Sequence, residues 1–486
     1  MRQIFFGMAT LQPYIPSSEK PWDKKRAIHL LRRLGLGGTP ASIASALAAD
    51  PLTFVENTLN GIKNRAMPQS PVWANWSAQD YEDSGDDDLV FTHRQVLYDS
   101  IVTDMINDGL RTKLFLFWHN HFVTELQAYN CNKYLWNYYR LLNTHCLGNF
   151  KTFVSEMGKS PAMLVYLNGN QNEAGRPNEN YARELMELFT MGENNGYTQN
   201  DVVEVARALT GWRCNMYECT DVTYDNNKFD KNDKTIFGKK GKWNYNDVHN
   251  LIFTERKNEV AYYICSKLYS NFVYHTIDEE FVVQLANLFI SGNWDLLPVF
   301  KAIFKSEHFY DENIIGAQIK SPMECFVDLM RSSGIPAANL GDRYGTVLDG
   351  SDNLGMDLFN PINVAGWQGY HEWINENTLT LRWNYCRDIV NSFTNQTNRE
   401  TLRSLVITLS TPDISDPDLI TRKVTEHFIG RPISDEQHET AVLYLKGDIP
   451  ENYFEDGTWN LNWNEAPFQI GNLLVYLTRL PEFQLS

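Results

Sequence analysis

The sequence predicts a mainly α protein: a large multi-helix array, orthogonal or bundle-like, with long irregular loops and little or no β-sheet. Apolar residues recur at three- and four-residue spacing over most of its 486 residues, strand-type alternation is nearly absent, and capping and breaking signals bracket the periodic stretches. Residues 1–28 read as an extended N-terminal arm, stiffened by Pro13, Pro16 and Pro21. Residues 29–486 read as one helical unit, with seams between two lobes left open at 214–250 and 391–417.

The run AIHLLRRLGLGGTPASIASALA predicts helix, Gly-rich turn, helix, with Leu30, Leu31 and Leu34 on one face and Thr39-Pro40 capping the second helix. Residues 77–88 crowd carboxylates around one Gly and predict a solvated loop. Residues 97–122 carry Ile101, Met105, Leu110, Leu114 and Phe117 at helical spacing and end in FLFWHNHF, so one helix is expected to deliver His119 and His121 at its end.

Residues 178–191 divide cleanly on a helical wheel. Tyr181, Ala182, Leu185, Met186, Leu188 and Phe189 take one half; Glu179, Arg183, Glu184 and Glu187 take the other. Thr198 and Asp201 form a capping box for a helix reaching toward Trp212. Residues 214–250 are polar and predict an irregular excursion. From Asp247 the pattern is helical again, with breaks at Ser291-Gly292, Ser333 to Pro336, Thr411-Pro412 and Gly447 to Pro450.

A net charge of −17 argues against a nucleic-acid partner, and no apolar run is long enough to span a bilayer. Residues 1–25 lack the apolar core of a signal peptide, so the acidic chain reads as soluble and cytoplasmic. The seven cysteines are too few and too scattered for a disulfide framework, which fits a reducing compartment; only Cys214 and Cys219 lie close enough in sequence to suggest a pair. With 13% aromatic residues, ring platforms for a flat ligand such as a sugar compete with plain core packing.

No G-x-S-x-G elbow, Walker loop, G-x-G-x-x-G or H-E-x-x-H occurs. The remaining chemistry is histidine and carboxylate. His119 and His121 face opposite sides of a regular helix and serve one metal only where the helix ends or bends, while His121 and Glu125 share a face. Packed inside, Glu179, Glu184 and Glu187 around Arg183 offer ligands or general acid and base; on a surface they form local ion pairs.

In order along the chain stand Leu31-Arg-Arg-Leu-Gly, FWHNHF (Phe117 to Phe122), PNENYARELMELFTMG (Pro177 to Gly192), GYTQNDVVEVARALTGW (Gly196 to Trp212) and NPINVAGW (Asn360 to Trp367). Together they resemble the domain-of-unknown-function 1800 family, from about Leu30 to the end of the sequence. The resemblance implies a bacterial, mainly helical protein, often exported and often encoded beside a sulfatase- or phosphatase-like companion. It carries no established activity.

Three readings follow. The first is a metal-dependent enzyme, oxidoreductase more than hydrolase, in which His119, His121 and Glu184 hold Fe, Mn or Zn and Glu184, Glu187, Glu179 and Arg183 supply acid, base and anion clamp. The second is a non-catalytic scaffold or partner for the companion protein. The third is a carbohydrate-binding protein. Trp118, Asn178, Trp212 and Trp367 are the candidate ligand-binding residues for a small-molecule or sugar substrate. The enzyme reading turns on one contact, the FWHNHF helix end against the NENYARELMEL helix.

Overall fold

The computed structural model describes residues 10–486. The first nine residues, part of the expected arm, lie outside the described ones. Twenty-four α-helices alternate with short 3-10 turns among the described residues. The strands amount to two antiparallel pairs, Trp212–Arg213 with Thr223–Tyr224 and Lys234–Ile236 with Lys239–Gly241. The fold is therefore mainly α. One apolar cluster extends from Tyr14 to Phe483 and ties helices far apart in sequence. No helix is long and apolar enough to cross a membrane among the described residues.

The local signals act as their chemistry requires. Thr39 caps the Pro40–Leu47 helix by accepting from the Ser42 amide, and Thr198 and Asp201 form the reciprocal capping box of the Gln199–Ala208 helix. Three departures from the expected pattern concern loops and breaks, and the first helix, Lys24–Leu34, begins inside the stretch read as an extended arm. The expected helix over 97–122 is two helices, Leu89–Asn107 and Leu110–His121, because Gly109 enters the left-handed region at φ 70°. Within the acidic run, Ala78–Ser84 is helical behind a Ser77/Asp80 capping box and stops at Gly85. Residues 353–369, expected to be helical, are irregular.

The view of the cysteines is corrected at one pair. Cys131 is joined to Cys219, with Cα atoms 6.0 Å apart and a sequence separation of 88, so the partner of Cys219 is not its sequence neighbour Cys214. Sequence spacing could not reveal this pairing, because the start of the Asn132–His145 helix and the polar excursion meet only in three dimensions.

The Lys24–Leu34 helix is held by ionic contacts as much as by apolar packing. Arg26, Arg32 and Arg33 are buried along with its apolar residues. Arg32 Nε lies 2.9 Å from Asp328 and donates its terminal nitrogens to the carbonyls of Phe428 and Ile429. Lys320 Nζ approaches the same carboxylate oxygen at 2.7 Å. These two contacts to Asp328 are ion pairs rather than well-aligned hydrogen bonds. The buried triad fastens the first helix to the Pro322–Ser332 helix and to the strap before it.

Candidate functional site

The motif FWHNHF closes the Leu110–His121 helix and distributes its side chains to four destinations. Trp118 and Phe122 are fully buried, and Trp118 donates its indole N–H to the Cys146 carbonyl at 2.9 Å. Trp118 is thus a core residue.

His119 is 0% exposed and fully committed. Tyr138 donates its hydroxyl to the Phe122 carbonyl at 2.7 Å, which leaves the tyrosine oxygen as acceptor for His119 Nδ1, also at 2.7 Å. His119 Nε2 then accepts from the Phe359 amide at 3.0 Å. The network assigns the proton to Nδ1. Burial pushes the imidazole pKa down to about 3, so it is neutral at every ordinary pH. His119 joins three segments and has no nitrogen free for a metal.

Asn120 makes a two-point clamp on NPINVAGW. Its Oδ1 accepts from the Trp367 amide at 2.6 Å and its Nδ2 donates to the Trp367 carbonyl at 3.1 Å. This explains Gly366, which has φ 78° and where an added Cβ would stand 2.2 Å from Asn120 Oδ1. Gly366→Ala is expected to lower stability by about 2 kcal/mol, through strained backbone and a broken clamp; thermal or denaturant melts would measure it.

His121 reaches the residue just past the C-cap of the Asn180–Glu187 helix, and not through a carboxylate. Its Nε2 donates to the Phe189 carbonyl at 3.1 Å, and Phe122 packs on Phe189 with centroids 5.5 Å apart. The FWHNHF end therefore touches Phe189, the apolar residue that directly follows NENYARELMEL. The Asn180–Glu187 helix turns its charged side elsewhere. Arg183 pairs with Glu179 at 3.1 Å and with Glu187 at 3.5 Å, the partly exposed i, i+4 ladder that the spacing predicted. Glu184 is half-buried, and its pKa is raised by burial and by Glu187 against the pull of Arg183.

Among the described residues no three His, Cys, Asp or Glu side chains stand together as a metal site would require. His119, His121 and Glu184 are thus not assembled as ligands. The His121/Glu125 pairing also does not form, since the helix ends at His121 and Glu125 accepts from Tyr166 at 2.8 Å. Asn178 organises the turn before its helix, accepting from the Asn180 amide at 3.0 Å. Trp212 lies in the first strand pair against Tyr224 and Tyr245.

Of the signature blocks, Arg33, Phe117, Asn120, His121, Ala365 and Trp367 line a cavity of about 310 Å³. It opens between the Leu110–His121 and Lys257–Phe272 helices, the start of the Pro322–Ser332 helix and the irregular segment from Met356 to Trp373. Three cations converge on it: Arg33, Lys113 and Lys267. Lys113 pairs with Glu324, whose other oxygen accepts from the Ser321 amide at 2.7 Å. Among the described residues Arg33 has a 3.4 Å contact to the Ile314 carbonyl, and its Nε has no partner. Lys267 lies over the Tyr263 ring at 5.4 Å and has no carboxylate within ion-pairing distance among the described residues. His121 Nδ1 and Trp367 Nε1 are buried without partners as well.

Burial shapes the charge of this cavity. It pulls Lys267 down to about 8 and, with Arg33 adding repulsion, lowers Lys113 while Glu324 favours its charged form. Burial lowers Arg33 too, yet a guanidinium starts high enough to stay charged at neutral pH.

Sequence reasoning missed all three cations. The available signal was each one's setting, a lysine or arginine inside an otherwise apolar helical run: HLLRRLG, RTKLFLFW and YYICSKLYSNF. Such side chains are seldom buried without a partner, so their surroundings had to hold a reason.

No curated protein and no solved structure matches the chain. A family profile described as "Protein of unknown function (DUF1800)" matches residues 29–485, nearly its full length. The chain belongs to the DUF1800 family.

Proposed function

We propose that the chain binds a small molecule through an oxyanion, a carboxylate, sulfate or phosphate group, in the cavity between Arg33, Lys113 and Lys267. The observation that carries this reading is an imbalance. Three buried or half-buried cations share one cavity, and among the described residues only Lys113 has a carboxylate partner. Desolvated cations are costly unless something compensates them. An oxyanion is the natural compensation, because it accepts from Lys267 Nζ beside the buried Arg33 guanidinium. The net charge of −17 would otherwise repel such a ligand, so the positive site gives selectivity within an acidic protein.

Titration calorimetry with inorganic sulfate and phosphate, at constant ionic strength against chloride, tests this reading. Saturable binding is expected, weakened at least tenfold by Lys267→Met, in line with the 1.5–3 kcal/mol typical of hydrogen bonds to charged groups. No saturable binding of either anion by the folded protein would defeat the proposal.

A further inference from the structure

The cationic end of the cavity is only part of it. Arg33 and Lys113 are buried, whereas His275, Asn271 and Gln368 on the same lining are exposed, so charge lies inward and the mouth is formed by the segment carrying NPINVAGW and its continuation. That outer wall is aromatic: Trp367, Tyr370 and Trp373. Trp367 carries an indole N–H with no acceptor, and Trp373 lies against no other aromatic ring among the described residues. Both are more than nine-tenths buried.

The wall is built at a conformational cost. Gly369 and Tyr370 occupy the left-handed region in succession, at φ 75° and 50°, a placement that a tyrosine does not adopt without support. The strained turn sets the Tyr370 ring flat on His275, with centroids 4.0 Å apart and planes 8° from parallel. Amide and hydroxyl groups interleave with these rings, from Ser270, Asn271 and Gln368.

Resting on the oxyanion reading above, we infer that the ligand is a single pyranose sugar bearing an anionic substituent. A pyranose offers apolar C–H faces to aromatic rings and hydroxyls to the polar groups between them, while its charged substituent reaches Arg33 and Lys267. The cavity volume of about 310 Å³ is at the small end of ligand sites, which suits one ring and its substituent rather than a chain.

Calorimetry on the full chain with glucose 6-sulfate, glucose 6-phosphate, glucuronate, glucose, 4-nitrophenyl sulfate and inorganic sulfate separates the possibilities. At least one anionic sugar is expected to bind ten or more times tighter than inorganic sulfate, glucose and the aromatic ester, and which one does so identifies the anionic group. Tyr370→Asn retains a residue that tolerates positive φ and removes the ring; it is expected to erase the tenfold sugar advantage while leaving sulfate binding unchanged. Tyr370→Phe should retain that advantage, and a melt of each variant verifies folding. If every anionic sugar binds no tighter than sulfate, or if the aromatic ester matches them, the sugar inference falls and the oxyanion reading stands. If neither the sugars nor the bare anions bind, both fall. Undiminished sugar preference in folded Tyr370→Asn would overturn the aromatic wall's role.

Discussion

Asp328→Asn is expected to cost the fold about 3–5 kcal/mol, the usual penalty for removing one partner from a buried ionic cluster. The carboxylate lies between Arg32 and Lys320, all three side chains nearly inaccessible. An amide of the same shape leaves two cations facing each other with nothing to balance them. The effect spreads, because Arg32 also holds the carbonyls of Phe428 and Ile429 and Lys320 holds that of Phe483. Denaturant unfolding at neutral pH would measure the loss; a change below about 1 kcal/mol would show that the cluster is not a structural pin.

The pH dependence of the parent protein has a definite sign at the same position. Burial works to raise the Asp328 pKa, but Arg32, Lys320 and Arg331 outweigh it and hold the group below the ordinary carboxylate value. A depressed folded pKa means stability that is fully present above the unfolded value of about 3.9 and lost as pH falls through the folded one. Asp328→Asn should therefore flatten the acid limb of the stability profile as well as lower the plateau.

What could be read in advance divides along a physical line. Helices announce themselves through apolar periodicity and local caps, so Thr39, Thr198 with Asp201 and the Glu179, Arg183, Glu187 ladder behave as their spacing requires. These are interactions within four residues. The segment at 353–369 has no such local logic; its shape is dictated by distant partners, with His119 accepting from Phe359 and Asn120 clamping Trp367. The signature blocks were visible as letters, but their joint role as a junction beside the cavity depends on separations of about 240 residues. The histidines drew attention because histidine commonly carries chemistry, whereas His119 spends both nitrogens on structure. Arg33, Lys113 and Lys267 lie on three helices and form a site only when these pack together. Their common clue was a charge in an apolar stretch, which each reveals singly and none explains singly.

Sulfate at one hundred times its Kd is expected to stabilise the folded chain by about 2.7 kcal/mol, and this increment should shrink as pH rises through about 8. The cause is Lys267, whose folded pKa lies well below the unfolded lysine value of about 10.4. Between the two, the unfolded chain keeps a proton that the unliganded folded chain has released, so the unliganded protein gains stability with rising pH. Over the same interval the cavity loses a positive charge and with it sulfate affinity. The unliganded curve therefore rises toward a liganded curve that stays level. Of the groups around Lys267, His121 is held neutral by burial, Arg33 remains charged through pH 8, and the Tyr263 hydroxyl, raised to about 12 by burial, stays protonated, whereas Lys113, lowered by burial and by Arg33 to about 7, releases its proton before Lys267 does. Lys267→Met should remove the step near pH 8 while leaving the smaller contributions of Arg33 and Lys113. Melts at paired pH values with sulfate and with chloride would measure it, and an increment that stays constant from pH 7 to pH 9.5 would show that Lys267 does not contribute its charge to the bound anion.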